Sequence, residues 1–431
     1  MLLKNNSLAK VFCFFCILGL IITPFSILAS HGELWHRIFH YNLQDYAPYN
    51  DTGMDFFHSI EYLNGNDPYG IWKTLYPPLA NLLFKVFFKF VPEVQKESWV
   101  IGFGPSVAMR CTASDLRTWM PTFMLFLGTV LLTTIFIFAM VLSAFKQHNK
   151  AGAVVAICSI FSYGYIYAIE RGNIIILSMA CALLFVLYHD SPSYVIREIA
   201  LLALAVSANL KLYPALLGFI LLYKKNWKEA GRVIIYGILL FILPCLSFTG
   251  GFSNIQIAIN KIIGDVASTS ISNSGTSFDK LCYSVLELFS HWLGWGIPQN
   301  MSVFFSVANK ICLLFGIAFG FFLPCKWQKT LGIVLAFILF SNQGIYVTCF
   351  LTIPLVQFLT EEERISKRNI IPLLGFVLVI AFFPVFNKDG DTFSYTSFRL
   401  QIGLLILFIY ELVECFRLIL KKKKNFVYRR E

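Results

Sequence analysis

Residues 122 to 145 read TFMLFLGTVLLTTIFIFAMVLSAF, an apolar run without a single charged side chain. Further apolar runs cover residues 11 to 28, 233 to 249 and 398 to 420. A helix needs roughly 20 such residues to cross a bilayer. The polar and apolar residues do not alternate with period two, as they would in a membrane barrel. The sequence therefore predicts an all-α integral membrane protein with several spanning helices.

The composition of the whole chain supports this class. Hydrophobic residues make up 57% of the 431 residues and charged residues 14%, against roughly 45–50% and about 25% in soluble proteins. The net charge is +11, but the basic residues form short clusters between apolar runs, which is typical of cytoplasmic loops. Nucleic acid is therefore not an expected partner. Most of the eleven cysteines lie inside apolar runs, so neither a disulfide framework nor a metal site is predicted.

The distribution of Lys and Arg predicts the topology. Lys and Arg are enriched in cytoplasmic loops. A topology with about ten crossings, both termini in the cytoplasm, and large outer loops over residues 31–118 and 250–298 agrees with this rule. Residues 199–222 are interpreted as a re-entrant hairpin, because Lys211 and Pro214 interrupt an apolar segment near its middle. Broken backbone at membrane depth is tolerated where it is buried or lines a polar cavity. The chain is expected to be one domain, residues 1–431.

The first outer loop contains the most polar stretch of the chain. Residues 51 to 78 read DTGMDFFHSIEYLNGNDPYGIWKTLYPP. The pattern predicts a short helix over residues 55–63, a turn at residues 65–68 and an amphipathic helix over residues 79–90. The last of these suits a helix that lies on the membrane surface or packs on the rest of the loop.

Three aspartates of this stretch are candidates for a catalytic base. A carboxylate just outside the membrane can take a proton from an acceptor hydroxyl, as transfer of a sugar from an activated phosphate requires. Asp67 precedes a proline and Asp51 lies in a polar turn, and both positions favour a structural role. Asp55 begins an aromatic-rich helix, where an acid near the helix N-terminus is the structural alternative.

Two basic residues are candidates for binding an anion. Arg171 lies in the short turn Glu170-Arg171-Gly172-Asn173 between two spans, where it could hold a phosphate or belong to an interfacial charge pair. Lys211 lies in the apolar hairpin, where a charge is costly without a partner. A lipid-linked phosphate or a buried carboxylate would be that partner. Tyr76-Pro77-Pro78 predicts a fixed, architectural turn.

Several motifs occur in the order seen in one family. They are an aspartate soon after the first span, Gly65-Asn66-Asp67-Pro68-Tyr69, Tyr76-Pro77-Pro78-Leu79, Arg171-Gly172-Asn173 and Lys211-Leu212-Tyr213-Pro214. The chain thereby resembles the polyprenyl-phosphate-mannose-dependent glycosyltransferases of family 87, the DUF2029 group of the GT-C superfamily. The resemblance implies a GT-C-type multi-span helical bundle with a helical first outer loop. It also implies that Asp55 is the base and that Lys211 and Arg171 face the donor phosphate. Asp51, Asn173, Tyr76 and Asp67 are secondary candidates.

The activity implied by the resemblance is a hexosyl transfer with inversion, with mannose as the expected sugar. The donor would be a polyprenyl-phosphate sugar, and the acceptor a lipid or cell-envelope glycan on the outer face. Membrane lipids are further partners, and neither a cofactor nor a metal is expected. The resemblance, together with the absence of organelle signals, implies a bacterial inner membrane. The alternatives are a transporter or flippase for a lipid-linked sugar, and a GT-C-like glycan ligase. The second half of the chain departs from the family pattern, so acceptor recognition is expected there.

Overall fold

The computed structural model describes most of the chain as helix. The described residues are 6–29, 41–42, 47–48, 53–70, 72, 74–92, 116–145, 149–267, 276–293, 301–340, 344–362, 364–383 and 395–427. They form seventeen α-helices, four 3₁₀ segments and one antiparallel ladder of two short strands, β1 (Tyr41–Asn42) and β2 (Ala47–Pro48).

The first nine helices precede or include the predicted hairpin: α1 (Ser7–Ala29), α2 (Met54–Glu61), α3 (Pro78–Phe88), α4 (Met120–Ala144), α5 (Asn149–Ile160), α6 (Tyr163–Glu170), α7 (Ile175–Tyr188), α8 (Tyr194–Leu210) and α9 (Phe219–Tyr223). The remaining eight follow it: α10 (Trp227–Cys245), α11 (Ser253–Ala267), α12 (Phe278–Leu293), α13 (Met301–Phe322), α14 (Lys326–Phe340), α15 (Thr352–Glu361), α16 (Ile370–Ile380) and α17 (Tyr395–Val427). The 3₁₀ segments are Asn64–Asn66, Leu116–Thr118, Tyr213–Gly218 and Ile345–Leu351.

Two helices of the described chain are long and apolar enough to cross a membrane by themselves. They are the segments Ser7–Phe25 and Met120–Ala144, and a third span results if α5 and α6 are counted together. Other apolar helices, such as α7 and α16, are shorter than a full crossing. The all-helical prediction is confirmed, whereas the count of about ten crossings stays a prediction.

The apolar stretch of residues 151–168 forms two helices with a bend between them. Helices α5 and α6 meet at a bend of 51°. The hydroxyl of Ser162 accepts a hydrogen bond from the backbone N–H of Tyr165 and so caps the start of α6. Gly164 then lets α6 lie against the 345–351 segment, because a Cβ there would meet Thr348 Oγ1 at 2.2 Å. Capping and close packing therefore replace one straight helix by two.

The chain reverses direction after α8. Lys211 leaves the helix with an extended backbone (φ −143°, ψ 130°), and the 213–218 segment and α9 follow. The ammonium group of Lys224 then lies 3.0 Å from His189 Nε2 and is paired with Asp190, both of which precede α8. The two ends of residues 194–224 are therefore close together. This is a hairpin in its path, and its place in a membrane stays a prediction.

Two apolar cores hold the molecule together. The larger joins α1 with α4–α10 and α13–α17. The smaller joins α2 and α3 of the predicted outer loop to Ile174, Leu210 and Phe248 at the ends of bundle segments. Residues 250–298, expected only as a loop, contain α11 and α12. Since α2 packs at the meeting point of several segments, polar residues at its start reach the turn before α7.

Candidate active site

The turn between α6 and α7 has a defined shape. Helix α6 ends in a Schellman motif, in which the N–H groups of Gly172 and Asn173 donate to the carbonyls of Ile169 and Ala168. This motif needs a residue in the left-handed region after the helix, and Gly172 has φ +65°. A glycine adopts that conformation without strain. The turn therefore fixes Arg171 on one side of Gly172 and Asn173 on the other.

The start of α2 is hydrogen-bonded to this turn through the backbone. The N–H of Gly53 donates to the carbonyl of Glu170 at 2.7 Å, and the N–H of Asp55 donates to the carbonyl of Arg171 at 2.9 Å. The approach is close, because a Cβ on Gly172 would lie 2.8 Å from the carbonyl oxygen of Gly53. Gly172 thus makes room for the start of α2.

The carboxylate of Asp55 is held by two side chains from the turn. Asn173 Nδ2 donates to Oδ2 at 2.6 Å, and Arg171 Nη2 donates to Oδ1 at 3.2 Å. Asn173 is itself fixed, because its Oδ1 accepts from the N–H of Ile175 at the start of α7. The Asp55 side chain is 22% exposed and that of Arg171 is 19% exposed. The base candidate is therefore oriented and still within reach of a ligand.

Lys211 approaches the same place from the hairpin. Its Nζ lies 4.3 Å from the centre of the Tyr76 ring and 6.0 Å from that of Tyr346. A cation over an aromatic face is stabilised by the negative face of the ring. The two rings therefore support the ammonium group at the point where α8 ends.

Tyr76, whose ring lies under the Lys211 ammonium group, is held in place through its backbone. Its backbone carbonyl accepts from Tyr69 Oη at 3.0 Å and from Asn81 Nδ2 at 3.1 Å, which fixes the residue just before α3. Burial raises the pKa of Tyr76 well above 10, and the negative charge of Asp55 adds to the shift. The phenol therefore stays protonated at neutral pH and can act as a hydrogen-bond donor.

The structure brings together five of the predicted site residues. We call Asp55, Tyr76, Arg171, Asn173 and Lys211 the Asp55 cluster. Asp67 lies in a turn instead, where its Oδ1 accepts from the N–H of Gly70 at 2.9 Å. Asp51 lies outside the described residues.

Tyr346 was not among the site residues predicted from the sequence. It lies where the family pattern was weakest, on the 345–351 segment, and only packing of that segment against α6 brings it to the cluster. Among the residues that the structure describes, no three His, Cys, Asp or Glu side chains are placed to hold a metal ion. That the reaction needs no metal stays a prediction.

An apolar cavity of about 530 Å³ lies beside the hairpin. Its lining comes from α8, the 213–218 segment, α9, α10 and α11, and Asn209 is its one carboxamide side chain. Leu212, which follows Lys211, is part of this lining. The cavity is large and apolar enough for part of a long hydrocarbon chain, and its lining comes next to Lys211 only through the neighbouring residue Leu212.

The fold and the cluster together define a helical membrane protein with a candidate acid–base site next to an apolar cavity. The particular family follows from comparison of the sequence: the family model described as glycosyltransferase family 87 matches residues 74–330. The chain belongs to that family, and it is a membrane glycosyltransferase. The match includes Tyr76, Arg171, Asn173 and Lys211, whereas Asp55 precedes it. No curated protein and no solved structure gives a significant match.

Proposed function

We propose that this enzyme transfers a hexose, with mannose the expected one, from a polyprenyl-phosphate donor to a hydroxyl of a glycan or lipid acceptor. Family membership supports sugar transfer. The observation that carries the finer proposal is the Asp55 cluster itself. It combines one oriented carboxylate with two cations from distant parts of the chain, beside a cavity that suits a lipid.

Asp55 is the proposed base. A general base must reach the proton that it removes and must be oriented towards it. Asn173 and Arg171 provide the orientation through their hydrogen bonds to the two carboxylate oxygens. These bonds leave further lone pairs, since a carboxylate offers about four acceptor positions. Asp55 can therefore accept a proton from an acceptor hydroxyl without losing either contact.

Lys211 and Arg171 are the proposed ligands of the donor phosphate. The hydrocarbon chain of the donor would occupy the cavity lined by Leu212 and α10. Because Leu212 follows Lys211 in the chain, the phosphate of that donor would lie near Lys211. A guanidinium has five N–H donors, so Arg171 can contact Asp55 and a phosphate oxygen together. Cations at this place stabilise the charge that develops on a departing phosphate.

The proposed reaction is a single displacement. The acceptor oxygen forms a bond to the anomeric carbon while the bond from that carbon to the phosphate oxygen breaks. The hydroxyl proton goes to Asp55, and the electron pair leaves with the polyprenyl phosphate. Attack from the face opposite the phosphate inverts the anomeric centre. The proposed setting is the outer face of a bacterial inner membrane, with both termini in the cytoplasm.

The test compares two aspartates of the same loop. Asp55→Asn keeps the size of the side chain but removes the base, so we expect transfer from synthetic polyprenyl-phosphate mannose to fall by about 10²–10⁴-fold. Asp67→Asn is the control, because Asp67 holds a turn, and we expect activity within about threefold of wild type. Full transfer activity of a folded Asp55→Asn protein would contradict the assignment of Asp55 as the base.

A further inference from the structure

A row of three aromatic rings leads away from Asp55. His58 and Tyr62 follow Asp55 by three and seven residues, so the three side chains lie on one side of α2. The ring centres of His58 and Tyr62 are 4.5 Å apart, and those of Tyr62 and Trp72 are 5.6 Å apart. The interplanar angles are 44° and 35°, so the rings form a tilted, curved strip.

This strip differs from the other side of α2. Phe56 and Phe57 are buried in the smaller core, where their rings pack against Phe126 of α4. His58, Tyr62 and Trp72 are all partly exposed. The two sides of α2 therefore have different functions: one anchors the helix, and the other presents rings next to the proposed base.

The rings of the strip have polar edges with fixed positions. His58 Nδ1 and Tyr62 Oη are 3.3 Å apart, and Trp72 Nε1 donates to the carbonyl of Asn64 at 3.3 Å. Burial lowers the pKa of His58 to about 4, although the charge of Asp55 opposes the shift. The imidazole is therefore neutral at pH 7. The strip combines apolar ring faces with hydrogen-bonding edges.

A pyranose ring matches this combination. One face of a hexose presents C–H groups that pack on aromatic rings, while its hydroxyls seek hydrogen bonds at the ring edges. Aromatic side chains with a polar end serve such half-apolar surfaces well. A purely lipid acceptor would need an aliphatic groove here instead. The chemistry of the strip thus points to a sugar.

We propose that His58, Tyr62 and Trp72 form the acceptor subsite, and that the acceptor is a glycan whose terminal pyranose packs on these rings with one hydroxyl at Asp55. This inference rests on the proposed function for the role of Asp55. It also moves acceptor recognition from the second half of the chain, where the sequence had suggested it, to the first outer segment.

The first experiment measures sugar binding without any donor. Saturation-transfer difference NMR uses methyl α-mannoside with protein in lipid nanodiscs that contain no glycoside detergent. We expect signals from the ring C–H protons with wild type, and a loss of at least about tenfold in affinity for Trp72→Ala. Trp72→Phe keeps a ring and should retain binding, which separates loss of the strip from misfolding.

Trp227 provides the matched control. It is 67% exposed and begins α10, away from α2. Trp227→Ala should bind methyl α-mannoside as wild type does. Equal binding by wild type and Trp72→Ala would overturn the subsite, as would a complete lack of binding by wild type.

The second experiment separates this inference from the proposed function. Polyprenyl-phosphate mannose is the donor, and octyl α-mannoside or octanol is the acceptor. We expect transfer to octyl α-mannoside, with the acceptor KM raised about tenfold in Trp72→Ala and the donor KM within about twofold of wild type. Equal use of octanol would contradict the glycan acceptor. Sugar binding without transfer to either acceptor would contradict the proposed function while supporting the sugar subsite.

Discussion

The two ends of helix α8 use charge in different ways. Near the start of α8, Arg197 pairs with Glu229 of α10 at 3.4 Å. The next residue, Glu198, pairs with Arg232 of α10. Tyr236 Oη adds a hydrogen bond of 2.8 Å to Glu198. We call these contacts the helix-end ion pairs. Each of them joins one helix to its neighbour, and both acids meet a base on the adjacent helix.

At the other end, Lys211 belongs to the Asp55 cluster. The residues of that cluster come from α2, from Tyr76 ahead of α3, from the turn before α7 and from the end of α8. The ring of Tyr346 also lies near the Lys211 ammonium group. An ion pair between two adjacent helices only holds those helices together. A carboxylate held by an amide and an arginine, near a lysine on aromatic faces, is an arrangement that can receive a ligand. The comparison shows that a charged residue by itself does not identify the candidate active site. What identifies the site is that several side chains from distant parts of the chain surround its charged residues.

The largest effect is expected at Lys211, which lies where the hairpin reverses, in comparison with Lys224 at the base of the hairpin. Lys211→Ala should lower kcat/KM for the polyprenyl-phosphate donor about 10²-fold, because a cation near the leaving phosphate is lost. Lys224→Ala is the control, since Lys224 pairs with Asp190 at the other end, and its activity should stay within about threefold. Initial rates over a range of donor concentrations measure both. Similar losses of kcat/KM in the two variants would contradict a specific role of Lys211 in donor binding.

Glu61 should make the stability of the α2 segment depend on pH. The residue is 1% exposed, and burial raises its pKa from 4.5 to about 8, with partial compensation by Asn64. The folded state therefore keeps a proton that the unfolded state loses above about pH 4.5. Stability falls as pH rises from there to about 8, by up to about 1.4 kcal/mol per pH unit.

Glu61→Gln tests this, because glutamine stays neutral and has the same shape. We expect the variant to be more stable than wild type at pH 8 by about 1 kcal/mol or more, and nearly equal at pH 5. Thermal unfolding in nanodiscs at the two pH values measures it. A stability difference that does not change with pH would contradict the buried, protonated carboxyl.

Gly172→Ala should loosen the contact that positions Asp55. The new methyl group would meet the backbone of Gly53, and the residue has a positive φ, so we expect a loss of about 1–3 kcal/mol. Gly128→Ala on α4 is the control, because no atom lies within 4 Å of its Cβ position. Thermal unfolding should show that variant unchanged or slightly more stable. Equal thermal stability of the two variants would mean that the position of α2 does not depend on the close contact between Gly172 and Gly53.

The smallest effect is expected at the helix-end ion pairs. Glu198→Gln should change stability by less than about 1 kcal/mol, because partly exposed ion pairs contribute little. Activity should match that of wild type. A double-mutant cycle with Arg232→Gln gives the coupling energy. A large loss of transfer activity would show that this end of α8 takes part in the reaction after all.

Local sequence patterns determined much of the helical structure. The helix predicted over residues 55–63 is α2, and the one over 79–90 is α3. The family resemblance is confirmed by the match over residues 74–330. These features were predictable because apolar length, turn residues and motif order are properties of neighbouring residues.

The bend between α5 and α6 was not predictable in the same way. Residues 151–168 have the composition of one span, and nothing in that stretch announces the 345–351 segment against which Gly164 packs. Tyr346 was missed for the same reason. The resemblance favoured Asp55 over Asp51, and the structure adds the hydrogen bonds that Asp55 accepts from Arg171 and Asn173.

By itself the sequence determined that this protein is a helical membrane glycosyltransferase with several aspartates in the polar segment after its first apolar run, because hydropathy and motifs are properties of the linear chain. Only the tertiary structure decided that Arg171 and Asn173 hold Asp55 from positions 116 and 118 residues away. It also decided that the Lys211 ammonium group lies over the ring of Tyr76. Such contacts depend on how distant helices pack, and the left-handed turn at Gly172 is what lets them meet.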